Sequence, residues 1–205
     1  MPAIAYLECS RCHARLPADV PQTLCTQCPE QPAGALYVRY DLTPLQGSSP
    51  ADVVNGGDAS TPWRGMWRYR AVLPEVAPVT LGEGWTPMLR SKRHGELFLK
   101  EEGANPTGSF KARGLALAVT MARHYGLRKL AIPSAGNAAG ALAAYAAASD
   151  IEAHIFMPRD VPLANLVEAT AYGAKVTLVD GVISDCARIV GERKAEEGWF
   201  DISTL

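Results

Sequence analysis

From residue 95 onward the chain alternates short apolar runs with helical patterns. Glu96–Lys100 reads as a strand. Lys129–Ile132 is a second apolar run closed by Pro133, Ala153–Met157 a third closed by Pro158, Lys175–Val179 a fourth and Trp199–Ile202 a fifth. Between them, Leu115–Tyr125 carries Leu115, Ala118, Val119 and Ala122 at helical spacing. Ala138–Ser149 is alanine-rich and has high intrinsic helix propensity. Leu163–Tyr172 and Asp185–Glu197 are helical patterns that stop at Gly173 and Gly198, glycines suited to left-handed helix ends. Strands alternating with helices predict right-handed crossovers and a parallel sheet, hence an α/β fold.

The front of the chain has another texture. Eleven of the fifteen prolines precede residue 90, and a Gly/Ser/Pro-rich stretch covers residues 46–57. Four of the five cysteines fall there, as Cys9/Cys12 and Cys25/Cys28. This predicts a small irregular module, a loose linker and then extended structure.

Composition narrows the function classes. Lys and Arg total 20 against 21 Asp and Glu, a net charge of −1, which argues against a general nucleic-acid or membrane-surface binder. With 48% hydrophobic residues in 205, there is enough apolar material for a core. No apolar run reaches membrane-spanning length, and Met1–Glu8 lacks a basic stretch followed by an apolar one. The expectation is a cytoplasmic protein. In that setting two C-x2-C pairs twelve residues apart read as ligands of one structural zinc, with reduced thiols as the alternative. His13 is expected to face solvent and Cys186 to fill core space, while His94, His124 and His154 show no ligand spacing.

Two segments carry chemistry. Asn105-Pro-Thr-Gly-Ser-Phe-Lys111 turns at residues 106–108 and leaves Lys111 in or near the first turn of a helix starting near Gly114. The positive end of the helix dipole and partial burial favour a neutral, nucleophilic amine there, although a lone lysine at a helix start is more often solvated. Ser134-Ala-Gly-Asn137 joins a strand to a helix, where unpaired backbone N–H groups suit a small carboxylate or phosphate. The plainer reading is an Asn or Ser helix cap.

Four stretches occur in one order: Thr80-Leu-Gly-Glu-Gly-Trp-Thr-Pro87, Leu97-Phe-Leu-Lys-Glu-Glu102, Asn105-Pro-Thr-Gly-Ser-Phe-Lys-Ala-Arg-Gly114 and Ser134-Ala-Gly-Asn137. Together they resemble the threonine synthase group of fold-type II pyridoxal-phosphate (PLP) enzymes, which are tryptophan synthase β-like in fold. The resemblance runs from about Trp67 to Leu205, and Trp199-Phe-Asp-Ile-Ser-Thr204 also looks like a family segment. It implies that Lys111 holds PLP as a Schiff base and then shuttles protons, and that Asn137 hydrogen-bonds the phenolic oxygen of the cofactor ring. Thr107, Ser134 and neighbouring backbone amides would take the substrate carboxylate, and Ser203 would lie near the substrate's phosphate end. The implied reaction is conversion of O-phosphohomoserine and water to threonine and phosphate, with the cofactor as electron sink.

The chain departs from the family pattern at Ala112, often Asp, and at Ala135, where a hydroxyl is usual. It also lacks the glycine-rich loop that closes on the cofactor phosphate. The expectation is therefore an N-terminal portion of a longer enzyme, incomplete as a catalyst, with weak PLP binding and uncovered apolar surface. The expected organisation is a zinc-ribbon-like module over 1–40, a linker and first part of the PLP large domain over 41–115, and a small α/β domain with a parallel sheet over 116–205. Expected partners are a small amino-acid substrate and a second copy in a homodimer, with neither nucleic acid nor membrane. The alternatives are a serine/threonine dehydratase or a cysteine/cysteate synthase-type β-replacement enzyme, and a catalytically silent zinc-ribbon interaction module.

Overall fold

The structure is a computed structural model that describes residues 4–29, 31–54 and 64–203. Asn55–Gly57 of the expected linker and Thr204 of the terminal segment lie outside them. Chain contacts divide the protein into two compact units, Met1–Val76 and Ala77–Leu205.

In the first unit, strand β1 (Ile4–Cys9) lies between β2 (Arg15–Leu16) and β3 (Leu36–Tyr40), antiparallel to both. Pairing of Leu7 with Leu16 and Val38, and of Cys9 with Leu36, gives the sheet one apolar face. Cys9, Leu16 and Cys25 are buried together there, with Leu7, Cys12, Ala14, Cys28 and Leu36 packed against them. The other face is polar and aromatic: Arg39 forks onto Glu8 with two 3.0 Å bonds, and Arg15 lies 4.4 Å from the Tyr6 ring centre. A single helical turn, α1 (Pro50–Val53), opens with a Ser49/Asp52 capping box, and a 3₁₀ segment covers Gly65–Val72.

The second unit begins with a two-stranded antiparallel ribbon, β4 (Met88–Arg90) and β5 (Phe98–Lys100). Its apolar residues Met88, Leu89, Phe98 and Leu99 are all exposed. Next come α2 (Lys111–His124), β6 (Lys129–Pro133), α3 (Asn137–Ala147), β7 (Glu152–Pro158), α4 (Leu163–Ala171), β8 (Lys175–Val179), α5 (Ile183–Glu197) and β9 (Phe200–Asp201). The fold class is α/β. Strands β6 to β9 form one parallel sheet in the order β8-β7-β6-β9.

Both faces of that sheet are covered, which is why β7 is apolar almost throughout. Ala131, Phe156 and Val179 share one face and pack with Cys186 and Val190 of α5 and with Trp199. Cys186 is thus a core residue. On the other face α3 packs between α2 and α4. Every residue of α3 from Ala139 to Ala146 is buried, Tyr145 included, which only a helix apolar all round tolerates. Gly198 ends α5 in the left-handed conformation, φ 68°. Among the described residues, no helix is long and apolar enough to cross a membrane.

Candidate active site

Helix α2 runs into β6 and α3 runs out of it, and the two helices pack side by side. Both therefore start at the carboxyl edge of the sheet, where open α/β folds bind ligands. Lys111 is the first residue of α2 and Asn137 the first of α3, so the topology brings the two to one edge. β9 lies beside β6 and runs parallel to it, so Ser203, two residues past its end, comes to the same edge.

The helix carrying Lys111 begins three residues earlier than the expected start near Gly114. A tight turn causes this: Gly108 N–H donates to Asn105 C=O at 2.9 Å, and Gly108 has φ 65°. The Ser109 hydroxyl then accepts the Lys111 N–H at 3.3 Å, and Ser109 C=O accepts the Ala112 N–H at 3.3 Å. Lys111 is half-buried, and its Nζ lies 4.7 Å from the centre of the exposed Phe110 ring. No carboxylate among the described residues pairs with it. Thr107 is 6% exposed, and its Oγ1 is buried without a hydrogen-bond partner. Leaving such a hydroxyl unpaired costs about 1–3 kcal/mol, which a ligand that bonds it offsets.

At the start of α3, Ser134 N–H donates to Phe156 C=O at 3.0 Å and the Ser134 hydroxyl accepts the Gly136 N–H at 3.4 Å. Asn165 of α4 fixes the loop by donating to Ala135 C=O at 2.8 Å. Gly136 is extended, and the first turn of α3 leaves N–H groups without helical partners. The Asn137 side chain is exposed. Ser203 is differently placed: its N–H and hydroxyl both donate to Asp201 Oδ1, at 2.9 and 2.7 Å. Its hydroxyl proton is engaged by a carboxylate rather than offered to the edge.

Behind this edge lies a group of polar residues to which no motif in the sequence assigns an individual role. Arg113 forks onto Glu102 at 2.7 and 2.8 Å, and Thr86 donates to Glu102 at 2.5 Å. These bonds, Arg113 first and Thr86 next, outweigh burial and hold the Glu102 carboxyl down at about 2. Asn105 donates to Glu102 at 3.0 Å and accepts the Gly84 N–H at 2.9 Å. Glu83 is fully buried and accepts from Tyr145 Oη at 2.7 Å, from Leu81 N–H at 3.0 Å and from Thr80 at 3.2 Å. Burial and then the Glu83 carboxylate push the Tyr145 phenol well above its ordinary value. All of these residues except Tyr145 lie in the quoted family stretches. The signal available from sequence was a pair of acids, Glu83 and Glu102, in otherwise apolar or turn-forming stretches.

In the first unit the four Sγ atoms of Cys9, Cys12, Cys25 and Cys28 lie within 4.8 Å of one another. Arg11 and Cys12 N–H groups point at Cys9 Sγ (3.4 and 3.5 Å), and Gln27 N–H points at Cys25 Sγ (3.4 Å). Burial raises Cys9, but these N–H groups and the neighbouring thiols outweigh it and bring the thiol to about 6. Ala14 N–H lowers Cys12, yet burial and sharing with Cys9, Cys25 and Cys28 push it up to about 11. Four thiolates at this spacing repel each other, and a dication among them removes that conflict. His13 is 75% exposed at its side chain and faces Glu8, away from ligation.

A family model described as pyridoxal-phosphate dependent enzyme matches residues 79–205. A threonine synthase of Methanosarcina acetivorans is 34% identical over 208 residues, covering 98% of this chain and 49% of that protein. A threonine synthase of Methanocaldococcus jannaschii is 41% identical over 143 residues, covering 65% of this chain and 35% of that protein. Among solved structures, an O-ureido-L-serine synthase superposes with a TM-score of 0.52 at 31% identity, covering 57% of this chain and 40% of that one. The chain thus spans from about a third to half the length of the curated relatives it matches.

Proposed function

Because the chain belongs to the family of pyridoxal-phosphate dependent enzymes, we propose that it carries the lysine half of a threonine synthase-type carbon–oxygen lyase. The reaction is conversion of O-phosphohomoserine and water to threonine and phosphate. One observation carries the reading: Lys111 and Asn137 open two packed helices at one sheet edge, with the unpartnered Thr107 hydroxyl buried four residues before Lys111. The likeness to threonine synthases supports this choice of substrate.

The residues present fit the cofactor. Among the described residues no carboxylate pairs with the Lys111 amine, which suits covalent attachment through Nζ, and the same amine then takes and returns protons at the substrate carbons. PLP, when bound, supplies an electron sink for deprotonation next to the amino group. The Asn137 amide would hold the cofactor ring by donating to its phenolic oxygen. Thr107 and Ser134 hydroxyls, with the first N–H groups of α3, hold the substrate carboxylate and orient it. Ser203 serves the phosphate end once its hydroxyl turns from Asp201. Phosphate departs from Cγ and water adds at Cβ. A β-replacement reaction is the second reading, supported by the likeness to O-ureido-L-serine synthase. Product analysis on the chain extended to the length of its relatives separates the two: threonine with phosphate supports the first, and a β-substituted alanine the second.

In the same proposal the front unit is a zinc-ribbon-like module in which Cys9, Cys12, Cys25 and Cys28 bind one structural zinc. Their clustered thiols and the N–H groups aimed at them support this.

The test of the active-site reading is borohydride reduction in the presence of PLP followed by peptide mapping. The label is expected on Lys111 and should vanish in Lys111→Ala, with the fold kept because a half-buried N-terminal helix residue contributes little packing. A label on another lysine, or none, refutes it.

A further inference from the structure

The segment from Ala77 to Thr86 follows α2 from its last turn to the loop before its first. Arg123 donates to Ala77 C=O at 2.5 Å, and the buried Thr120 hydroxyl accepts Val79 N–H at 2.9 Å. Thr86 then meets Glu102 and Arg113 near the start of the helix. Along the way the segment turns sharply. Gly82 and Gly84 have φ of 93° and 91°, and Trp85, not a glycine, has φ 50°. Left-handed backbone at a bulky residue is costly and persists only when surrounding structure imposes it. The turn leaves Trp85 63% exposed and Glu83 wholly buried.

A carboxylate so buried is held only where donors surround it. Its donors include Tyr145 Oη from α3, and Leu81 N–H and the Thr80 hydroxyl from its own turn. From the next residue the bonding continues without a break. Gly84 N–H donates to Asn105 Oδ1, Asn105 Nδ2 donates to Glu102, and Glu102 holds the Arg113 guanidinium. Asn105 also closes the turn that delivers Lys111 to the helix start. One end of this chain is thus on α3, eight residues from Asn137. The other is on α2, two residues from Lys111.

We propose that the chain Tyr145–Glu83–Gly84–Asn105–Glu102–Arg113 is a polar brace that fixes the start of α2 relative to the start of α3, with Glu83 as its central positioning residue. Apolar packing alone lets two alanine-rich helix faces slide, because small side chains interlock weakly, whereas directional bonds to a buried carboxylate define one register. Its use rests on the cofactor reading above: a group held covalently by Lys111 and through its ring by Asn137 tolerates little error in their separation. Neither Glu83 nor Tyr145 need touch the cofactor.

Tyr145→Phe tests this, since it deletes one hydroxyl and keeps the ring. Amide hydrogen exchange on the cofactor-free protein is the first readout. The expected result is about tenfold faster exchange across residues 107–113 and 134–139, with the amides of β7 and β8 unchanged. Faster exchange confined to residues 80–84 and 143–147, or a uniform increase over the whole second unit, overturns the brace. Asn105→Ala is expected to act on the same amides, and the double variant to be no worse than the worse single one. Multiplying effects mean two separate local defects and also overturn it. In the second arm, the PLP dissociation constant is expected to rise about tenfold in Tyr145→Phe, and unchanged affinity counts against the brace. Equal PLP binding by the unaltered protein and Lys111→Ala refutes the cofactor reading instead, while the exchange data still decide the brace.

Discussion

A half-buried ion pair at the root of α2 gives one pH-dependent contribution a definite direction. Arg113 and Glu102 keep 33% and 25% of their side chains exposed, so water screens the pair only in part. The Glu102 carboxyl is held at about 2, below its usual 4.5, chiefly by the Arg113 guanidinium. A carboxyl depressed by folding stabilises the native state fully above the unfolded value and loses that contribution as pH falls through the folded one. The window is therefore pH 4.5 down to about 2. Glu102→Gln is expected to cost about 1–2 kcal/mol at neutral pH and to flatten the acid limb of the stability curve in that window. Urea unfolding followed at several pH values measures both; an acid limb identical to that of the unaltered protein would show that Glu102 does not carry it. At this scale sequence and structure part company. Lys111, Asn137, Thr107 and Ser134 stand in short stretches that the family resemblance singles out, although their residue types alone fit a solvated lysine and a helix cap. Glu83, Glu102, Arg113 and Tyr145 act through partners up to 62 positions away, and nothing local marks such a pairing.

Elements were legible where periodicity was strong. The strands at 129–133, 152–158 and 175–179 and the helices between them follow their apolar patterns to within a few residues. Two boundaries moved for identifiable reasons. Helix α2 starts at Lys111 because the Asn105 turn and the Ser109 hydroxyl begin its hydrogen bonding ahead of the apolar stripe. The strand expected over 96–100 shortens to Phe98–Lys100, since it has only the three residues of β4 to pair with. In the front unit, proline-rich sequence hid the strands β1 to β3, and the cysteine spacing was the one firm signal. A close approach there yields a prediction of its own. A Cβ at Gly34 would stand 2.5 Å from Cys9 Sγ, and 3.1 Å from both Arg11 and Ser10. Cys9 is buried among three other thiols and has no room to retreat. Gly34→Ala should therefore lower zinc affinity at least about tenfold, read by competition with a chelator. Undiminished affinity would mean that the cluster can shift as a whole.

Over the whole molecule, the division into Met1–Val76 and Ala77–Leu205 separates the two candidate chemistries. The four cysteines belong to the first unit, and Lys111, Asn137, Thr107, Ser134 and Ser203 to the second. Each unit is also stabilised differently. The second buries a sheet between helices, with Ala131, Phe156, Val179, Cys186, Val190 and Trp199 on one face alone. Among the described residues, the front sheet buries Cys9, Leu16 and Cys25, with Leu7, Cys12, Ala14, Cys28 and Leu36 only partly buried against them, a small core for roughly forty residues. In the zinc-ribbon proposal, metal binding supplies the folding free energy that this small core lacks. A zinc closed by four thiolates would have no open coordination position, so the proposal gives it no share in chemistry at Lys111. Cys9→Ser/Cys12→Ser should therefore abolish bound zinc in elemental analysis and unfold the front sheet, seen as lost exchange protection over residues 4–9 and 36–40. Borohydride labelling of Lys111 should persist at a level far above that of Lys111→Ala. Loss of labelling together with zinc would show that the front unit supports the lysine site, and metal-free protein with an intact front sheet would show that its few buried residues suffice.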